Sequence, residues 1–184
     1  MNRPALRFAE VIERLDKLVQ EASTAQDEKH KEILLSFVVV KLHDQWNFRS
    51  RQIVLESFGR SEEAMTETIR RNWGITVRDK GFEPDWHIPS NTIKAACLLK
   101  VPDLTQIQDA IGSVIYIDDI RWTRNAIAHN IPTSFTKYRQ MTLSKYQIQD
   151  VMPYRLPLET NAETGNSIYE DWCNELGNAL RFAL

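Results

Sequence analysis

Arg124, Asn125 and His129 stand close together in the stretch "RWTRNAIAHN", residues 121–130. A guanidinium, a carboxamide and an imidazole are side chains that can hold a phosphate and move a proton beside it. Arginine grips phosphate through paired N–H donors. Histidine exchanges its proton near neutrality, which suits acid–base work. The same residues also suit a plain helix end. Asn125 and His129 are four apart and share a helix face, and a cationic imidazole in a last turn is favoured by the helix dipole. By residue type alone, the cluster holds either a helix terminus or a phosphate.

The segment that carries the cluster reads as a helix over 116–129. Ile117, Ile120, Arg124, Ile127 and Ile131 are spaced 3, 4, 3 and 4, which predicts one buried stripe with an arginine at its centre. A guanidinium keeps its proton, so burial demands an acceptor. Three acceptors are open: a carboxylate such as Asp44 or Asp118, a carbonyl, or an anionic ligand. Arg124 and His129 lie about 140° apart on an ideal helix. They meet only if the helix loosens, if Arg124 reaches sideways along its stem, or if two copies face each other.

The rest of the chain reads as helical at both ends. Residues 4–23 place Leu6, Val11, Leu15, Leu18 and Val19 at helical spacing. The longest candidate runs 27–58, with Asp27 as N-cap and Gly59 as stop. Its apolar lane is Leu35, Val38, Leu42, Trp46, then Arg49, then Ile53. Ser61 caps a third helix that Gly74 ends. The segment 74–90, "GITVRDKGFEPDWHIPS", has two Gly, two Pro and no helical period, and is predicted as an irregular loop. Short helices follow from Ser90 or Asn91 to Leu99 and from Pro102 or Asp103 onward, the latter open to being continuous with 116–129. Pro132 closes that helix. Residues 133–165 are mixed, and "SFTKYRQMTLSKYQI" reads as a hairpin or a loop. The C-terminal helix, 166–184, offers Ile168, Trp172, Leu176, Leu180 and Phe182 to a core. The predicted class is an all-α helical bundle in a single domain over 1–184.

Composition narrows the function classes. Lys and Arg number 23 against 25 Asp and Glu and pool nowhere, so a general polyanion-binding stripe is not expected; any nucleic-acid contact is local. No apolar run reaches membrane-spanning length, and the first residues turn amphipathic without a signal core, so a cytoplasmic protein without membrane contact is expected. Cys97 and Cys173 have no metal spacing and read as reduced core thiols. His87 near Asp85 lacks further ligands, so no metal site is expected.

"RNAIAH" at a helix end, preceded by the apolar "IGSVIYIDDIRW", resembles the signature of the HEPN superfamily. This is a group of helical ribonucleases and nucleotide-binding domains of defence and toxin–antitoxin systems. The segment "VVVKLHDQWNFRSRQIVLESFG" is similar to the second helix of the RiboL-PSP-type branch. Helix order agrees, so the resemblance covers most of 27–132, with the 166–184 helix added. Asn130 stands where many members have Gly, and Asn takes the same backbone region at modest cost.

The resemblance implies a four-helix core with extra terminal helices and a homodimer whose two Arg-x4-His motifs meet in one cleft. It implies RNA cleavage without metal or cofactor, by attack of the RNA 2′-OH on its own phosphate. His129 would then act as general acid or base, Arg124 would stabilise charge on the phosphorane, and Asn125 would orient either. A toxin or defence role with an antitoxin or nucleotidyltransferase partner follows from the same likeness. Two other classes compete with it: a non-catalytic HEPN module that binds nucleotide, RNA or protein, and a structural dimerisation domain in which Arg124 pairs with a carboxylate.

Arg121 adds positive potential to the cleft or is merely solvated. Arg49 lines an RNA groove or ends the core lane facing solvent. Trp46 and Trp122 read as packing residues rather than base platforms. His43 and Asp44, adjacent on a helix, point about 100° apart and are not expected to pair.

Overall fold

A computed structural model describes residues 2–74, 82–129 and 131–184. Among these the protein is all-α, as the periodicity predicts. The helices are α1 (Arg3–Thr24), α2 (Glu28–Phe58), α3 (Glu62–Asn72), α4 (Pro89–Leu99), α5 (Leu104–Gly112), α6 (Ile117–His129), α7 (Pro132–Tyr146) and α8 (Ile168–Phe182). A short 3-10 turn spans Leu156–Leu158. Three of the sequence signals of helix ends act as expected. The Asp27 carboxylate accepts from the Lys29 N–H at 3.0 Å, the Ser61 hydroxyl accepts from the Ala64 N–H, and Gly59 stops α2 at φ +65°. Much of the irregular 74–90 segment lies outside the described residues; its end, 82–88, is loop and turn.

The chain forms two compact units. One comprises Met1–Phe8, Gln45–Val114 and Gly177–Leu184, the other Ala9–Asp44 and Ile115–Leu176. In the first, α4 packs on α3 and α5. Trp46 is fully buried there and its indole N–H donates to the His87 carbonyl at 3.2 Å. It is a packing residue, as expected. Arg51 reaches Glu62 at 2.8 Å and Glu83 at 3.1 Å, and Glu83 in turn accepts from the Trp86 indole.

The second unit carries Arg124, Asn125 and His129, and α6 packs on α7 in it. Leu35, Val38 and Leu42 of α2 and Trp172 and Leu176 of α8 are fully buried in it. A polar knot sits inside this apolar core. Asp119 on α6, 3% exposed, accepts from the Tyr146 hydroxyl at 2.7 Å and pairs with the Lys145 ammonium at 2.6 Å. The Trp172 indole donates to the Tyr146 oxygen at 3.2 Å. Burial pushes the Asp119 carboxyl above the usual carboxylate range, against the pull of Lys145 and Tyr146.

Several expectations need correction. Residues 132–146 are neither hairpin nor loop but helix α7. Pro132, expected to stop the preceding helix, occupies the first turn of this one, where its missing N–H costs nothing. Tyr138, Met141, Thr142 and Tyr146 form its buried face. The α6 helix is not continuous with α5. It starts anew because the Glu175 carboxylate takes the N–H groups of Ile115 at 3.0 Å and Tyr116 at 2.8 Å, capping its entry. Leu6 and Phe182 are exposed at 48% and 66%, and Phe8 and Ala183 are buried in their regions instead. Each exposed residue sits on a helix that turns a neighbouring lane inward. Cys97 is exposed on α4 rather than in the core, because Ala95, Ala96 and Leu99 supply that helix's buried face. His43 Nδ1 comes within 3.7 Å of Asp44 Oδ1, an ion-pair distance the helix angle alone did not predict, though too long for a hydrogen bond.

Two outcomes follow. Tyr146→Phe removes the donor to Asp119 and the acceptor for the Trp172 indole, and should cost about 1–3 kcal/mol in urea unfolding. Burial pushes the Cys173 thiol up to about 12, and the thiolate is the reactive form. A thiol reagent at pH 8 should therefore modify the exposed Cys97 well before the half-buried Cys173 in the native protein, and both at similar rates after denaturation.

Candidate functional site

The second half of α6 departs from the predicted stripe. Ile117 and Ile120 are buried as expected, but the buried lane continues through Thr123 and Ala126. Arg124 and Ile127 are half-buried, and Ile131 is 48% exposed beyond the helix end. Spacings of 3, 4, 3 and 4 describe two adjacent lanes over a short helix equally well. Burial of Asp119 selects the lane that runs through Thr123, whose hydroxyl donates back to the Asp119 carbonyl at 2.7 Å. Arg124 is thereby turned toward the surface. Asn130, expected at the helix stop, lies outside the described residues.

Arg124, Asn125 and His129 come together. Arg124 Nη1 donates to Asn125 Oδ1 at 3.1 Å and lies 3.2 Å from His129 Nε2. The separation of about 140° on an ideal helix is bridged in the second of the three ways open to it. The helix stays α-helical through His129, and the long arginine stem reaches sideways within one chain. A guanidinium has donors only. In this contact Arg124 is the donor and Nε2 the acceptor.

Neither carboxylate proposed for Arg124 is its partner. Asp118 pairs with Arg121 at 2.9 Å, and Asp44 lies by His43. Among the described residues no carboxylate meets Arg124, and its Nε is buried without a hydrogen-bond partner. Its head is met by an amide oxygen and an imidazole nitrogen instead of a carboxylate. Such a cation is ready for an anion.

Arg121 belongs to the same surface. With Asn125 it lines a hollow of about 150 Å³ between α6 and α7, walled also by Trp122, Thr133, Ser134 and Lys137. Trp122 is half-buried there. Arg49 belongs to the other unit, where it donates to Gln45 Oε1 at 3.2 Å and its guanidinium lies 4.9 Å from the Phe48 ring centre. Thr133, Ser134 and Lys137 are not legible in the sequence because α7 is not. The usable signal is Pro132, which fits the first turn of a helix as well as the end of one.

Among the described residues no group of three or more potential metal ligands converges, and no helix is long and apolar enough to cross a membrane. Comparison with protein-family models, with curated proteins and with solved structures finds no match.

The absence of a carboxylate partner has a measurable consequence. Breaking a buried ion pair costs about 3–5 kcal/mol, because one charge is left stranded. Arg124→Ala strands no charge, so its urea midpoint should move by the equivalent of less than about 2 kcal/mol, the share owed to stem packing.

Proposed function

We propose that this protein is a metal-independent endoribonuclease of the HEPN type, acting as a homodimer in the cytoplasm as a toxin or defence component. The observation that supports it is the Arg124 guanidinium, without a carboxylate and held on His129 Nε2 and Asn125 Oδ1. The Arg-x4-His spacing at a helix end supports the same reading.

The chemistry follows from those atoms. A scissile phosphate draws the Arg124 N–H groups from the imidazole to its own non-bridging oxygens. That transfer frees the His129 Nε2 lone pair, which takes the proton from the RNA 2′-OH. The 2′ oxygen attacks phosphorus, and Arg124 offsets the charge that builds on the phosphorane. The 5′ oxygen leaves with a proton, and a 2′,3′-cyclic phosphate remains. A second copy facing the first supplies the imidazolium that protonates the leaving oxygen. Asn125 anchors the guanidinium through its Oδ1.

A second reading has its own support. The chain carries a net charge of −2 and no basic stripe, which also suits a non-catalytic HEPN module that binds a nucleotide, an RNA or a partner such as an antitoxin or nucleotidyltransferase.

Purified protein incubated with RNA in excess chelator should yield cyclic-phosphate ends. His129→Ala should lower the rate by about 10²–10⁴ and Arg124→Ala by about 10²–10³. Cleavage undiminished in His129→Ala would remove the catalytic reading. Nucleotide or RNA binding by a wild type that cleaves nothing would favour the module.

A further inference from the structure

The hollow between α6 and α7 has a composition of its own. Arg121 and Lys137 bring two cations, Thr133 and Ser134 two hydroxyls, Asn125 an amide and Trp122 an indole wall. Only one of the two cations is paired: Asp118 meets Arg121 at 2.9 Å, whereas no partner meets the exposed Lys137 ammonium among the described residues. Asn125 joins this hollow to the Arg124–His129 cluster. Its Oδ1 is taken by Arg124, which leaves its NH₂ to donate. Every group that can face a ligand here is a cation or a neutral polar group, and the hydroxyls and the amide add short-range donors.

Size decides between ligands. At about 150 Å³ the hollow holds several times the roughly 30 Å³ share of a water. It falls short of the roughly 300–1,000 Å³ that encloses a drug-sized molecule. The hollow has room for a phosphoryl group.

We propose that this hollow is a subsite for an RNA backbone phosphate next to the scissile one. Lys137 supplies the unpaired charge, Arg121 contributes further N–H donors, Thr133 and Ser134 donate hydrogen bonds, and Asn125 sets the register between the two phosphates. The subsite rests on the ribonuclease reading of Arg124 and His129 for its role, though not for its ability to bind. It places positive charge locally where a substrate backbone would pass, in a chain whose 23 Lys and Arg form no basic stripe.

The test uses a short 2′-O-methyl RNA, which lacks the attacking hydroxyl, so binding is read without cleavage. Affinity is measured against salt for wild type, Lys137→Ala and Arg139→Ala. Arg139 is an exposed cation on the same helix, about 160° around it from Lys137, and controls for net charge. Removing the cation that neutralises one phosphate of a single strand should flatten the log–log salt slope by about 0.7. The subsite requires that shift in Lys137→Ala and an unchanged slope in Arg139→Ala, with both variants melting as the wild type does. Equal slopes in wild type and Lys137→Ala, equal flattening in both variants, or no binding by wild type would overturn it. Cleavage assays on ordinary RNA separate the two proposals. Cleavage with no Lys137 signature sinks the subsite alone, and the signature without cleavage sinks the catalytic reading alone.

Discussion

A buried carboxylate organises the unit that carries the candidate site. Asp119 has almost no solvent exposure, and burying a charge is costly unless it is paired and hydrogen-bonded. The chain meets that demand from α7, with the Lys145 ammonium and the Tyr146 hydroxyl both on Asp119 Oδ2. From α8 the Trp172 indole donates to the same hydroxyl, and Glu175 takes two N–H groups at the entry to α6. Lys145 also donates to the Ile115 carbonyl. Three helices are thus locked in one rotational setting around a few polar atoms. An apolar core alone tolerates more variation in register than hydrogen bonds of this kind allow.

That setting determines what α6 shows to solvent. With Asp119, Thr123 and Ala126 turned inward, Arg124 and Asn125 are left at the margin and His129 is exposed. The arginine stem is partly covered while its head meets Asn125 Oδ1 and His129 Nε2. Asp118, the acidic residue one and a half turns before it, is occupied by Arg121. The same rotation brings Arg121, Trp122 and Asn125 to the groove shared with α7, so the cluster and the hollow beside it are two outcomes of one packing decision.

The departures from the sequence-based expectations share one physical origin. Leu6, Phe182, Ile131 and Cys97 are all apolar residues at acceptable helical spacing, yet each is exposed. Spacing constrains a lane only to within a neighbouring lane, and the choice is made by whatever element lies opposite. Helix α7 is hidden from the sequence for a related reason. It contains several Thr, Ser and Tyr residues of modest helix propensity, and its stability comes from burying Tyr138, Met141 and Tyr146. Nothing local marks that benefit. Long, well-capped α2 is legible because its signals are local: Asp27 at one end, Gly59 at the other, and a lane from Leu35 to Ile53 long enough to fix its own phase.

The sequence by itself determined the helical class, most helix ends and the grouping of Arg124, Asn125 and His129 within one turn and a half, because caps, glycines and i, i+4 spacing are local properties. It left open what neutralises Arg124 and whether Arg124 and His129 can touch. Only the tertiary structure decided those points. The arginine's acceptors depend on which way Asp119 turns α6, and that depends on Lys145, Tyr146 and Trp172, residues 26 to 53 positions further along the chain that no local pattern ties to it.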